Sequence, residues 1–250
     1  MDNVVMGRKP VLELLTSRPG TVEHVLLRQG LKGQDIKELI DACKASGVRY
    51  RFLPPDALER SAPGCRQGVA AFTAAKEFQD LEQLLDNIRN APLPVILALD
   101  QVQDPGNVGT LARTLLALGG AGLVTTKHHA ARLGGQASRA SAGALERLPV
   151  HMCVNLARTL DQCADAGLEI LKAEAGPQGE NLFTARFDTP CVLVLGGEED
   201  GVRPNVAKRC ARSLYIPMPG GFESLNVAQA GAIVLGQMAR YAHLKASGKP

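Results

Sequence analysis

The sequence contains no tryptophan and only three tyrosines and six phenylalanines in 250 residues. So few aromatics argue against RNA or DNA recognition by a platform of rings that stacks successive bases. No apolar run approaches the ~18 residues of a membrane span, and the N-terminus lacks the charged-then-apolar layout of a signal peptide. A cytoplasmic protein without membrane attachment is expected. The six cysteines (Cys43, Cys65, Cys153, Cys163, Cys191, Cys210) never fall as CxxC, which disfavours a zinc site or disulfide framework. They read as reduced, buried thiols. Neither GxxxxGKS/T nor GxGxxG occurs, so nucleoside-triphosphate and dinucleotide binding lose their main support. Internal repeats and low-complexity tracts are absent too.

A hydrophobic content of 45% instead marks a globular chain, and a net charge of +3 gives no global basic field. Charge is uneven, however. Lys127, Arg132, Arg139 and Arg147 face a single Glu146 between positions 127 and 151, with three of the five histidines. That stretch is either an ordinary solvated face or a phosphate-binding surface.

Residues 1–75 alternate helical and strand patterns, among them "VEHVLLR", "GQDIKELIDACKASG", "VRYRFLP" and "GVAAFTA". They form a small α/β unit. Residues 76–93, with one helical pattern closing on two prolines, read as a charged linker. From 94 to 250 the alternation resumes. "PVILALD" and "CVLVLGG" are nearly continuous apolar runs, as expected of strands buried on both faces of a parallel sheet. Such sheets bind ligands beyond the C-terminal ends of their strands.

Three strands there run into unusual loops. In "LALDQVQDPGNVGTLARTLLALGGAG", Asp104-Pro105-Gly106 signals a turn and Asn107 is a plausible N-cap. Val108, Leu111, Leu115 and Leu118 form one apolar stripe, and Arg113 lies about opposite it. Arg113 is thus a solvated arginine, a phosphate clamp, or a residue reaching across a subunit interface. In "CVLVLGGEEDGVRPNV", Gly196 and Gly197 suit a close approach of backbone to ligand, and Pro204 suits a helix start. Glu198 on its own reads as part of a plain acidic turn. In "IPMPGGFESLNVAQAGAIVLGQMAR", Ser224 taken alone reads as an N-cap.

Together the loops say more. "DPGNVGTLAR", "LVLGGEEDGV" and "IPMPGGFESLNVAQAGAIVL", in that order, resemble the three motifs of the SpoU (TrmH-type) RNA ribose 2′-O-methyltransferases, members of the SPOUT superfamily. "SAGALERLPV" and "NLARTL" between the motifs fit as well. "GRKPVLELL" and "RQGVAAF" resemble the ribosomal-protein-like RNA-binding domain of the subgroup that methylates a guanosine of 23S ribosomal RNA. Two positions depart from the pattern. Arg66 stands where that subgroup usually has histidine, and Gly106 stands where many members have histidine before the motif asparagine.

The resemblance implies an α/β protein: a small N-terminal RNA-binding domain and a C-terminal trefoil-knotted methyltransferase domain with a parallel sheet. It implies a homodimer that needs no metal. S-adenosyl-L-methionine would be held by Leu195, Gly196, Gly197, Ile216, Met218, Leu225 and Asn226. Arg113 would be the central catalytic residue, supported by Asn107, Glu198, Ser224 and Asn226. Arg8, Arg66, Lys127, Arg132 and Arg139 would contact RNA. A guanidinium with a pKa above ~12 is a poor base, so Arg113 is read as gripping a phosphate and stabilising the developing alkoxide. Competing readings are methylation of tRNA, methylation of a drug-binding ribosomal loop as self-resistance, and a silent RNA-binding protein. Retention of Asn107, Arg113, Glu198 and Asn226 speaks against the last.

Overall fold

A computed structural model describes residues 4–73, 78–198 and 200–247. Contacts divide the chain into two compact units, Met1–Lys76 and Glu77–Pro250. The first contains β1 (Val4–Met6), α1 (Arg8–Ser17), β2 (Val22–Arg28), α2 (Gln34–Ala45), β3 (Arg49–Leu53), α3 (Pro55–Ser61) and β4 (Val69–Thr73). Its sheet runs β1-β4-β2-β3, with β2 and β3 parallel and the other pairs antiparallel. Helices α1 and α2 bury Val11, Leu15, Ile36 and Leu39 against Val25 and Leu27 of β2. On the other face α3 packs Leu58 over Leu26 and Ala70.

The second unit begins with α4 (Leu81–Ile88), β5 (Leu93–Asp100), α5 (Pro105–Ala117), β6 (Gly120–Thr126), α6 (Gly135–Ala140), α7 (Ala144–Arg147) and β7 (Val150–Cys153). It continues through α8 (Leu156–Asp165), β8 (Glu169–Ala173), β9 (Glu180–Asn181), β10 (Cys191–Gly196), α9 (Pro204–Ala207), β11 (Arg212–Tyr215) and α10 (Val227–Ala246). Its seven strands pair in parallel, in the order β7-β6-β5-β10-β8-β11-β9. Side chains on both faces of β5 and β10 are buried, one set under α5 and α10 and the other under α4 and α8. That explains the unbroken apolar runs. From β5 the chain winds outward to β6 and β7, and β10 later inserts between β5 and β8. The strand order therefore switches at β5/β10, where an open α/β sheet leaves a crevice for a ligand.

The expected linker proves different where it is described (residues 76 and 77 lie outside the described residues). Helix α4 has a capping box formed by Asp80 and Gln83, and it buries Leu81, Leu84 and Ile88 in the second unit's core. Each such side chain contributes roughly 1.5–3 kcal/mol of gross hydrophobic stabilisation. The apolar spacing of this helix makes it part of the domain. Five of the six cysteines are buried, and burial pushes the thiols of Cys163 and Cys191 up to about 12. They are core residues with little thiolate character.

Candidate active site

The loops after β5 and β10 leave the sheet side by side, because Gly196 pairs with Asp100 in the parallel register. Asp100 is fully buried, and the second loop comes back to it. The Arg203 backbone N–H donates to Asp100 Oδ2 at 2.9 Å, its Nε donates to Oδ1 at 2.9 Å, and Nη2 lies 2.6 Å from Oδ1. The pair anchors the end of the second loop just before Pro204 opens α9. Neither residue stood among the sequence candidates. The available signal was an aspartate ending an otherwise apolar strand.

Helix caps differ from expectation, and the difference frees a side chain. Asp104, rather than Asn107, caps α5: its carboxylate accepts the Asn107 backbone N–H at 2.8 Å. Likewise Asn226, rather than Ser224, caps α10, its Oδ1 accepting from the N–H groups of Ala228 and Gln229 at 2.9 and 3.4 Å. Asn107 thus points its amide away from its own helix. Its Nδ2 donates to Glu198 Oε1, and its Oδ1 accepts from Asn226 Nδ2 at 3.1 Å. One residue from each of the three loops joins this chain of bonds. Ser224 is exposed nearby and takes no part in it.

The glycines serve the loop itself. A Cβ on Gly196 would lie 2.0–2.3 Å from backbone atoms of Gly201 and Val202, and one on Gly197 would lie 2.6 Å from the Gln101 carbonyl oxygen. Gly201 bridges back to Gly197, donating its N–H to the Gly197 carbonyl at 3.0 Å. Its φ of +62° favours glycine. The pair Gly196-Gly197 is therefore required by the fold-back of the loop, whatever part its backbone plays toward a ligand.

Beneath these loops lies a cavity of about 480 Å³. Leu195, Ile216, Met218 and Leu225 line it, with Gly196, Gly197, Glu198 and Ser224. Its size and its mixture of apolar walls and backbone suit a small organic ligand. Lys172 and Glu174, from the end of β8, also line it and were not anticipated. They pair at 2.7 Å, and Ser213 Oγ donates to Glu174 Oε2 at 2.5 Å. Burial pushes the Glu174 carboxyl up, but the hydrogen bonds from Lys172 and Ser213 outweigh it and hold the group below the usual carboxylate range. It is ionised at neutral pH. Among the described residues, no group of three His, Cys, Asp or Glu is arranged to hold a metal ion, and no helix is long and apolar enough to cross a membrane.

Other candidates stand apart. Arg113 is exposed on α5, away from the buried stripe of Val108, Leu111 and Leu115, and outside the asparagine chain. Lys127, Arg132 and Arg139 are exposed on the second unit. In the first unit Arg66 is exposed, whereas Arg8 pairs with Asp35 at 2.5 Å. That hydrogen bond from Arg8 holds the Asp35 carboxyl below its ordinary value. Arg8 thus has a structural partner within its own unit.

Known proteins are similar to this chain in sequence and fold. The family model described as "SpoU rRNA Methylase family" matches residues 94–236, and one described as "RNA 2'-O ribose methyltransferase substrate binding" matches residues 4–79. A Staphylococcus aureus protein assigned as a TrmH family tRNA/rRNA methyltransferase is 31% identical over 97% of this chain and 97% of its own. The SpoU methyltransferase AviRb of Streptomyces viridochromogenes, crystallised with its cofactor AdoMet, shares the fold at a TM-score of 0.66 and 24% identity, over 95% of this chain and 89% of its own. A structure described for 2-OH methylation of C/U34 on tRNA has a TM-score of 0.53 and 28% identity. It covers 62% of this chain with 97% of its own. With both family models matched along its length, the chain belongs to the SpoU family of RNA methyltransferases.

Proposed function

We propose that the protein methylates a ribose 2′-hydroxyl of ribosomal RNA, a guanosine of 23S RNA, using S-adenosyl-L-methionine held in the cavity under the three loops. The observation that carries this reading is the convergence of Asn107, Glu198 and Asn226 beside that cavity. Leu195, Ile216, Met218 and Leu225 would enclose the adenine, and backbone groups around Gly196 and Gly197 would supply its polar partners. The bound donor supplies a methyl group already activated on a sulfonium, so the chain's own task is alignment and management of one proton. Asn107, fixed at both ends of its amide, holds Glu198 and the start of α10 in register at the mouth. Arg113 grips the phosphate next to the reacting ribose and stabilises the developing alkoxide.

Ribosomal RNA is favoured over tRNA by the first unit. The tRNA-directed structural neighbour has no counterpart for more than a third of this chain, whereas residues 4–79 match a substrate-binding module. A homodimer, cytoplasmic placement and the trefoil knot belong to the same reading. Support for the dimer comes from α10, where Ile233 is exposed and Ala230 and Leu244 are half-buried on a helix whose Val227, Val234, Leu235 and Met238 are already in the core.

Two measurements test this. Calorimetry should show S-adenosyl-L-methionine binding that survives EDTA, and loss of binding on chelation would count against the reading. Gly196→Ala should weaken that binding by about tenfold or more, a change of ~1.4 kcal/mol. The added methyl collides with backbone that cannot swing aside, so the loop must open. Wild-type affinity in Gly196→Ala would show that this fold-back does not shape the cavity. The RNA target is tested by mass mapping of ribose methylation in 23S RNA from cells with and without the gene.

A further inference from the structure

Phe222 is 78% exposed, the largest value among the exposed large hydrophobic side chains described. Single exposed hydrophobics are ordinary on protein surfaces, so exposure alone says little. The place of this one says more. It sits at the tip of the glycine loop between β11 and α10, four residues before Asn226. Gly221, with φ of +79°, precedes it, and apart from the adjacent residues of the chain nothing lies within 4 Å of where a Cβ on Gly220 or Gly221 would be. The Gly221 N–H donates to the Met218 carbonyl at 3.3 Å and closes the turn. The next residue, Glu223, lines the cavity, as do Ser224 and Leu225, but Phe222 does not. No aromatic side chain lines it among the described residues. Phe222 therefore stands beside the rim of the cavity, next in sequence to residues that line it.

Resting on the methyltransferase reading above, we propose that Phe222 is a positioning residue that stacks on an unpaired base of the RNA substrate at the mouth of the cavity. A ribose hydroxyl brought to the asparagine chain carries its base and its neighbours' bases close by. Proteins read RNA most readily where bases are unstacked, and an aromatic ring replaces the stacking that the strand gives up. Charge favours a base over a phosphate at this spot, because Glu223 and Asp200 line the same cavity and repel an anion. Charge and composition also disfavour a second copy of the chain. Interface cores are apolar, and Phe222 is surrounded in sequence by glycine, glutamate and serine. In the second unit Phe187 is buried edge-on to Tyr241, and neither Phe78 nor Phe183 lies on a segment that lines the cavity.

The absence of tryptophan makes the test direct, since Phe222→Trp becomes a single-tryptophan protein. Its emission should change when a large-subunit ribosomal RNA fragment is added and stay constant when the protein alone is diluted. Phe222→Ala should raise the RNA KM by roughly 5- to 150-fold, with kcat and S-adenosyl-L-methionine affinity little changed. Phe222→Tyr and Phe222→Trp should restore the KM, and Phe222→Leu should not, since it is apolar without a ring face. A wild-type KM in Phe222→Ala, or full rescue by leucine, overturns the proposal. So does a tryptophan signal that follows protein dilution and ignores RNA, which would assign the ring to a contact between copies. If the wild type methylates no RNA, the parent reading fails, and the response of the tryptophan to RNA still decides the stacking.

Discussion

Arg203→Ala is expected to cost about 3–5 kcal/mol of stability, and Asp100→Ala clearly less. The asymmetry follows from burial. The Asp100 side chain is 0% exposed, whereas that of Arg203 is 40% exposed. Removing the guanidinium leaves a carboxylate at the end of β5 whose only donor among the described residues is the backbone N–H at position 203. It must then stay ionised in the core, take a proton, or admit water. Removing the carboxylate leaves a guanidinium that water already reaches, and the main loss is one N–H acceptor, worth about 1–3 kcal/mol. Arg203→Lys should resemble the alanine variant more than the wild type, because Nε and Nη2 both engage Oδ1 and an ammonium reproduces neither geometry. Denaturant midpoints for the three variants at one pH measure this. An Arg203→Ala protein within about 1 kcal/mol of wild type would mean that the pair is not what anchors the second loop. The consequence for function is local, since that loop carries Glu198 and folds over Gly196.

How much of this was legible in the sequence depends on the range of the interaction. Strand β2 spans the residues of "VEHVLLR", and β10 lies within "CVLVLGG", because unbroken apolar runs bounded by turn residues have few other uses. The stripe on α5 placed Arg113 outside the core for the same reason, since helical spacing alone decides it. Strands β1 and β9, three and two residues long, are too short for any period and form only because a neighbour is there to pair with. The caps failed for a subtler reason. Asn107 and Ser224 have side chains suited to capping, but the cap belongs to whichever residue takes the extended conformation at the helix entrance. Asp104 (ψ 119°) and Asn226 (ψ 140°) take it. The bond between Asp100 and Arg203 joins residues 103 positions apart, and it becomes visible only once β10 is known to lie beside β5. Gly196 and Gly197 line the cavity, and each lacks a side chain because another piece of chain passes there, a constraint that the sequence does not display.

Arg113→Ala is expected to lower RNA methylation by about 10²- to 10³-fold while leaving S-adenosyl-L-methionine affinity nearly intact. The cavity proposed for the donor is lined by the loops around Gly196 and Leu225, and Arg113 is not among its residues. A guanidinium that acts only on the acceptor side holds a phosphate through paired charge-assisted bonds, so its loss lowers turnover and RNA capture together. Arg113→Lys should be nearly as poor, because the planar fork is lost. The geometry adds a condition. Arg113 lies six residues beyond Asn107, about 9 Å along the helix and on a different face. Within one chain it makes no bond to the asparagine chain and has no ion-pair partner among the described residues. If it serves a site, that site is most simply the one on a second copy. Mixing inactive Arg113→Ala and Asn107→Ala proteins should then restore activity, since each mixed dimer rebuilds one intact site; random pairing would return about a quarter of the wild-type rate. Sites contained wholly in one chain would restore nothing. An Arg113→Ala protein that kept more than about a tenth of wild-type turnover, an effect under ~1.4 kcal/mol, would return Arg113 to an ordinary solvated arginine.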